Sequence, residues 1–155
     1  MAKSALSCFA AALIWAAAAQ AAEPLAGSWV LTANSYDSKP APVTIPLGLK
    51  VTESGGSLQF QYSMNGGQLI TMVFAARMDG SEVDVKDGTG KRIGSAIVHK
   101  VSANDYELVL KSPGAPDSPG KMTVSNGGNT LTCESTTRLP GHDKPTKVTQ
   151  VFTRQ

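Results

Sequence analysis

The stretch Ser57–Lys86, SLQFQYSMNGGQLITMVFAARMDGSEVDVK, decides the fold. Leu58, Phe60, Tyr62 and Met64 alternate with Ser57, Gln59, Gln61 and Ser63, the period of a strand with one face buried and one face in water. Ile70, Met72, Phe74 and Ala76 resume the apolar set beyond Asn65-Gly66-Gly67. A three-residue loop with glycine in the left-handed position predicts Met64 opposite Gln68, Tyr62 opposite Ile70, Phe60 opposite Met72 and Leu58 opposite Phe74. A two-residue loop would instead set the apolar face against Leu69, Thr71 and Val73. At Asp79-Gly80, a two-residue turn places Ala76 opposite Val83 and Phe74 opposite Val85. Three antiparallel strands then share one apolar face, and something must cover it.

Upstream, Met1 to Ala22 opens with Lys3, runs through an alanine-rich apolar block containing Leu6, Phe9, Leu13, Ile14 and Trp15, and closes on Ala19-Gln20-Ala21-Ala22. It reads as a secretory signal peptide, shorter than the ~20 apolar residues a membrane span needs. Cleavage there predicts a mature chain over 23–155, periplasmic or secreted, with no membrane span and about 130 residues, enough for a single domain with one core. Cys8 leaves with the leader, so Cys133 stands alone and the exported chain folds without an internal disulfide. Removing Lys3 from the 14 Lys and Arg leaves 13 against 12 Asp and Glu, a net charge of about +1. With no basic cluster, the charge balance gives nucleic acid and anionic membrane surfaces no electrostatic hold.

On either side of the central meander the turn signals continue. Leu25 to Leu31 predicts a first strand with Trp29 and Leu31 on one face, and Leu47, Leu49 and Val51 a second. Between them, Ser35 to Pro46 carries Pro40, Pro42 and Pro46 and reads as an extended loop. Ile93 to Val101 predicts a long strand, and a primed turn at Asn104-Asp105 sets Val101 opposite Leu108 and His99 opposite Leu110, facing inward. Pro113 to Gly120 is a loop. A four-residue loop at Asn126–Asn129 sets Val124 opposite Leu131 and Met122 opposite Cys133, which buries the thiol. The last strand runs through Val148, Val151 and Phe152, whose spacing leaves its inward face open. Nine or ten short strands and no helical period after the leader predict an all-β fold: an antiparallel up-and-down β-barrel of about 8–10 strands, closed so that no edge is exposed.

At Gly27-Ser28-Trp29 the chain resembles the Gly-x-Trp opening of lipocalins and their calycin relatives. Val124 to Thr132 and Val148 to Arg154 resemble the closing strands of small lipocalin-like proteins exported by bacteria. The resemblance implies that Trp29 packs beneath the barrel near its closed end and that an arginine from a late strand, Arg154 or alternatively Arg138, packs against it. The second lipocalin signature, a Thr-Asp-x-Arg corner, has no match, so the resemblance is to the broader calycin class.

Chemistry-bearing motifs are few. There is no Gly-x-Ser-x-Gly elbow, phosphate-cradling loop, paired-cysteine metal motif or dinucleotide fingerprint. His99 and His142 are the two histidines; neither gathers the convergent ligands a metal needs, and no cofactor is implied. Cys133, between apolar neighbours, reads as an inert thiol. An enzyme would need His99 or His142 to converge with carboxylates that the sequence does not place together, so no enzymatic activity is expected. If the barrel closes, Phe60, Tyr62, Met72, Phe74 and His99 line its interior. They then either hold a small apolar or amphipathic ligand or simply fill the core. The second case makes the protein a docking module for an envelope protein, through Ser35 to Pro46 and Pro113 to Gly120.

Overall fold

The computed structural model describes residues 22–138 and 143–155. The leader expected over residues 1–22 lies, apart from Ala22, outside the described residues, as does His142. Eleven strands are described: β1 (Gly27–Tyr36), β2 (Lys39–Ala41), β3 (Leu47–Ser54), β4 (Ser57–Met64), β5 (Leu69–Ala76), β6 (Asp79–Lys86), β7 (Arg92–Lys100), β8 (Asp105–Lys111), β9 (Ser118–Val124), β10 (Thr130–Thr137) and β11 (Thr146–Arg154). From β3 to β11 each strand pairs antiparallel with its successor, β1 pairs with β3, and β11 pairs with β1, which closes a barrel of ten strands. The short β2 takes the place of β3 beside the upper half of β1. It lies inside the proline-rich segment expected to be all loop. Asp37 and Ser38 adopt positive φ in a tight turn, and Pro40 sits on a strand whose other edge is unpaired, where a missing N–H costs no ladder bond.

The central meander has the expected face and different partners. Its loop runs from Asn65 to Gln68, so Met64 faces Leu69, and a bulge at Thr71 then inserts one residue into β5. The Thr71 hydroxyl donates to the Tyr62 carbonyl at 3.3 Å. Beyond the bulge the predicted pairs therefore slip by two, to Tyr62–Met72, Phe60–Phe74 and Leu58–Ala76. An even slip keeps every side chain on its face. Phe60 and Phe74 consequently stack, with ring centroids 4.7 Å apart and planes 11° from parallel. Beyond them, β5 and β6 form a ladder pair only at Val73–Lys86, in the register the Asp79-Gly80 turn predicts, and this seam is the weakest in the ring.

The β7–β8 hairpin differs by an odd number, and there the face changes. Its loop is Ser102–Asn104, so Val98 faces Leu108 and His99 faces Glu107. His99 is thus outside the barrel and exposed, contrary to the inward position expected from an Asn104-Asp105 turn. Side chains fix this loop. The Ser102 hydroxyl donates to Asp105 Oδ2 at 2.8 Å and accepts from the Asp105 backbone N–H at 3.2 Å, while Asp105 Oδ1 accepts from Thr123 at 2.8 Å and pairs with Lys121 at 3.1 Å. Those hydrogen bonds, from Ser102 first, then Thr123 and Lys121, hold the Asp105 carboxyl down at about 2, below its ordinary 3.8.

A carboxyl depressed in the folded state stabilises the fold above its unfolded pKa, and that stabilisation is lost as pH falls through the folded value. Asp105→Asn should therefore lower the urea midpoint at neutral pH, with the gap to wild type closing between about pH 4 and pH 2. A gap that stays constant across that window would show that the ionised carboxylate does not hold the turn.

Candidate functional site

The barrel interior divides into a solid lower half and an open upper end. At the lower end Trp29, 1% exposed, donates its indole N–H to the Leu25 carbonyl at 3.0 Å. Arg154 lies over its ring at 4.2 Å and donates to the carbonyls of Pro24 (2.7 Å), Ala26 (2.7 Å) and Gly128 (2.6 Å). Gly27 leaves room for this guanidinium: a Cβ there would collide with Arg154 Nη1. Arg138 sits exposed just past the end of β10, at the opposite end of the barrel. Beside the Trp29–Arg154 stack, Glu23 accepts from Lys100 Nζ at 2.9 and 3.0 Å and from the Tyr106 hydroxyl. Burial, and then the Glu23 carboxylate, push the Tyr106 phenol above its usual range. The segment Glu23–Ala26 thereby closes the lower end with its polar groups paired.

Above this plug the core is aromatic and dense. Phe60 is 0% and Phe74 3% exposed, and Phe152, Leu131 and Val98 complete the layer. Higher still, the side chains no longer fill the space, and a cavity of about 240 Å³ opens. Leu47, Met72, Leu108, Leu110 and Met122 form its apolar wall; Tyr62, Cys133, Ser135 and Gln150 supply its polar atoms. Of the residues expected to line the interior, Tyr62 and Met72 border this cavity. Phe60 and Phe74 lie one rung below, stacked on each other, and His99 is outside. Burial, and then the neighbouring Cys133, raise the Tyr62 phenol above its usual range, and burial pushes the Cys133 thiol up to about 12. Both groups are neutral at pH 7. A thiol so raised has almost no thiolate for nucleophilic attack.

A second cavity, about 160 Å³, adjoins the first across Leu47, beneath Pro42–Ile45 and beside Asn34 and Tyr36. A bulge at Thr32, whose hydroxyl donates to the Val151 carbonyl at 3.1 Å, turns Asn34 toward the interior opposite Gln150. Asn34 Nδ2 donates to the Tyr36 hydroxyl at 3.1 Å, whereas its buried Oδ1 has no hydrogen-bond partner. Rotating the amide would exchange these roles and still leave one polar end unpaired. A groove of about 330 Å³ beside Val30, Lys50 and Gln61 lies on the outer wall. Among the described residues, no three His, Cys, Asp or Glu side chains are grouped to hold a metal ion.

No family model matches the chain, and no curated protein matches it in sequence. Solved structures do match in fold. Fatty-acid-binding protein 1 of Echinococcus granulosus superposes with a TM-score of 0.60 at 11% identity, covering 85% of this chain and 98% of that one. The zebrafish ileal bile acid-binding protein complexed with cholic acid gives 0.59 at 14% identity, covering 85% and 99%. A Schistosoma mansoni fatty acid binding protein in complex with arachidonic acid gives 0.57 at 14%, covering 85% and 96%. With the closed ten-strand antiparallel ring, these matches show the fold: a calycin-like β-barrel.

Arg154→Leu removes three charge-assisted hydrogen bonds and the stacking over Trp29, and should cost about 2–4 kcal/mol of stability. Urea unfolding followed by Trp29 emission checks this. An unchanged midpoint would show that the lower plug is not stabilised by Arg154.

Proposed function

We propose that this chain is an exported carrier, periplasmic or secreted, that holds a small apolar or amphipathic molecule non-covalently at the upper end of its barrel and performs no covalent chemistry on it. The observation that carries this reading is the cavity of about 240 Å³, walled by apolar side chains above a solid core. A ligand entering it would leave water against Leu47, Met72, Leu108 and Leu110, gaining roughly 25 cal/mol for each Å² of apolar surface removed from solvent. The few polar atoms on the wall would orient it. The fold neighbours support the reading, since they are fatty-acid-binding proteins and a bile acid-binding protein complexed with cholic acid. Export rests on the leader-like composition of residues 1–22. The neutral Cys133 and the outward His99 offer no activated nucleophile or base inside the cavity. A docking module with a filled core would have had no space beside Tyr62 and Met72.

Met72→Trp should fill the cavity. Because the added volume enters existing space, stability should stay within about 1.5 kcal/mol of wild type. Affinity for a fluorescent lipophilic probe should fall at least about tenfold, as contact area is replaced by the indole. Unchanged probe affinity in a folded Met72→Trp variant would place binding elsewhere and overturn the proposal.

A further inference from the structure

We infer that the cavity selects an uncharged amphipath, with a hydroxyl or other neutral polar head, over a carboxylate of the same chain length; this rests on the carrier reading above. The observation is one of charge. Among the described residues, the polar side chains that the barrel turns into the two upper cavities are neutral, among them the Tyr62 and Tyr36 hydroxyls, the Ser135 hydroxyl, the Cys133 thiol and the carboxamides of Gln150 and Asn34.

Among the described residues bordering the larger cavity, Lys121 and Glu134 are the charged ones. They occupy alternate positions to the inward Met122 and Cys133, so both side chains point outward. There Lys121 pairs with Asp105 at 3.1 Å and Glu134 with Lys147 at 2.7 Å. The cations of the lower end are also committed, Lys100 to Glu23 and Arg154 to three carbonyls, and both lie beneath the Phe60–Phe74 stack. A carboxylate drawn into the cavity would lose its water and meet no counter-ion among the described residues, the costliest way to bury a charge.

A neutral head meets the opposite situation. The carboxamide of Asn34 has one polar end buried and unpaired, and its cross-strand partner is Gln150 on the wall of the larger cavity. That end is occluded as it stands, so the amide must swing toward the cavity to be reached; a hydroxyl both donates and accepts and can then pair with it in either orientation. The apolar tail would then lie along Leu47 and Met72, between the two cavities. The chemistry thus separates this barrel's ligand from the fatty acids and cholic acid named for its fold neighbours, which carry carboxyl groups.

The test is competition against a fluorescent lipophilic probe at pH 8, using the purified, delipidated protein with dodecanol and dodecanoate as competitors. Dodecanol should displace the probe at a concentration at least about tenfold lower than dodecanoate. Asn34→Leu should weaken dodecanol about three- to tenfold, the worth of one neutral hydrogen bond, and leave dodecanoate unchanged. If Asn34→Leu does not fold, Gln150→Lys replaces it: a cation on that wall should turn the preference toward dodecanoate, and an unaltered ratio would count against the inference. Dodecanoate binding as tightly as dodecanol to wild type overturns the inference and leaves the carrier reading standing. If the protein takes up neither the probe nor either competitor, the carrier reading falls, and this inference with it.

Discussion

The pairing of β11 with β1 is the constraint on which the rest depends. Once the sheet closes, each of the ten strands of the ring is paired on both sides and the ring holds each side chain either inside or outside. The closing register brings Trp29 beside Arg154 at the lower end, Leu31 beside Phe152 in the middle and Asn34 beside Gln150 above. Along this one seam the interior passes from a plugged end, through packed hydrocarbon, to a polar-tipped opening. Among the described residues Cys133 is a free thiol and no disulfide ties the ring, so closure and packing supply its stability.

The cavity follows from how side-chain volume is distributed along the barrel. Trp29, Phe60, Tyr106 and Phe152 are concentrated low, where each is essentially inaccessible to solvent. The inward positions at the upper end of β9, β10 and β11 carry Gly120, Ser135 and Gln150, which are too small or too polar to meet in the middle. A barrel of this size can be filled by its own side chains or can hold one ligand, and the choice is made by a handful of upper positions rather than by the fold. The proposed function therefore belongs to these residues, and the fold alone would not carry it.

Much of the architecture is legible in the sequence because it rests on period-two alternation, which survives even-numbered errors of register. The Leu58–Met64 strand shows its face regardless of whether Phe60 meets Met72 or Phe74, since the two pairings differ by two residues. The same robustness holds for Val124–Leu131 and Met122–Cys133, where the loop length predicts the pairs found. His99 marks the limit. Asn104-Asp105 resembles a two-residue turn, but the Ser102 and Asp105 side chains make a tighter set of bonds around a loop starting three residues after His99. The odd difference turns the imidazole out. Asn34 and Gln150 were hidden for a related reason. Without the Thr32 bulge, alternation from Trp29 and Leu31 would point Ala33 inward and Asn34 outward. On the last strand, Val151 next to Phe152 blurs the alternation that places Gln150 between the inward Val148 and Phe152.

The most direct test of the central claim is native mass spectrometry of the protein isolated from its own host, as purified and again after incubation with that host's lipid extract, each compared with the denatured chain. The account predicts a mass excess, of one small apolar molecule per chain, that is present in the native spectrum and lost on denaturation. A native mass equal to the denatured mass in both preparations would contradict it and make the upper cavity a packing defect.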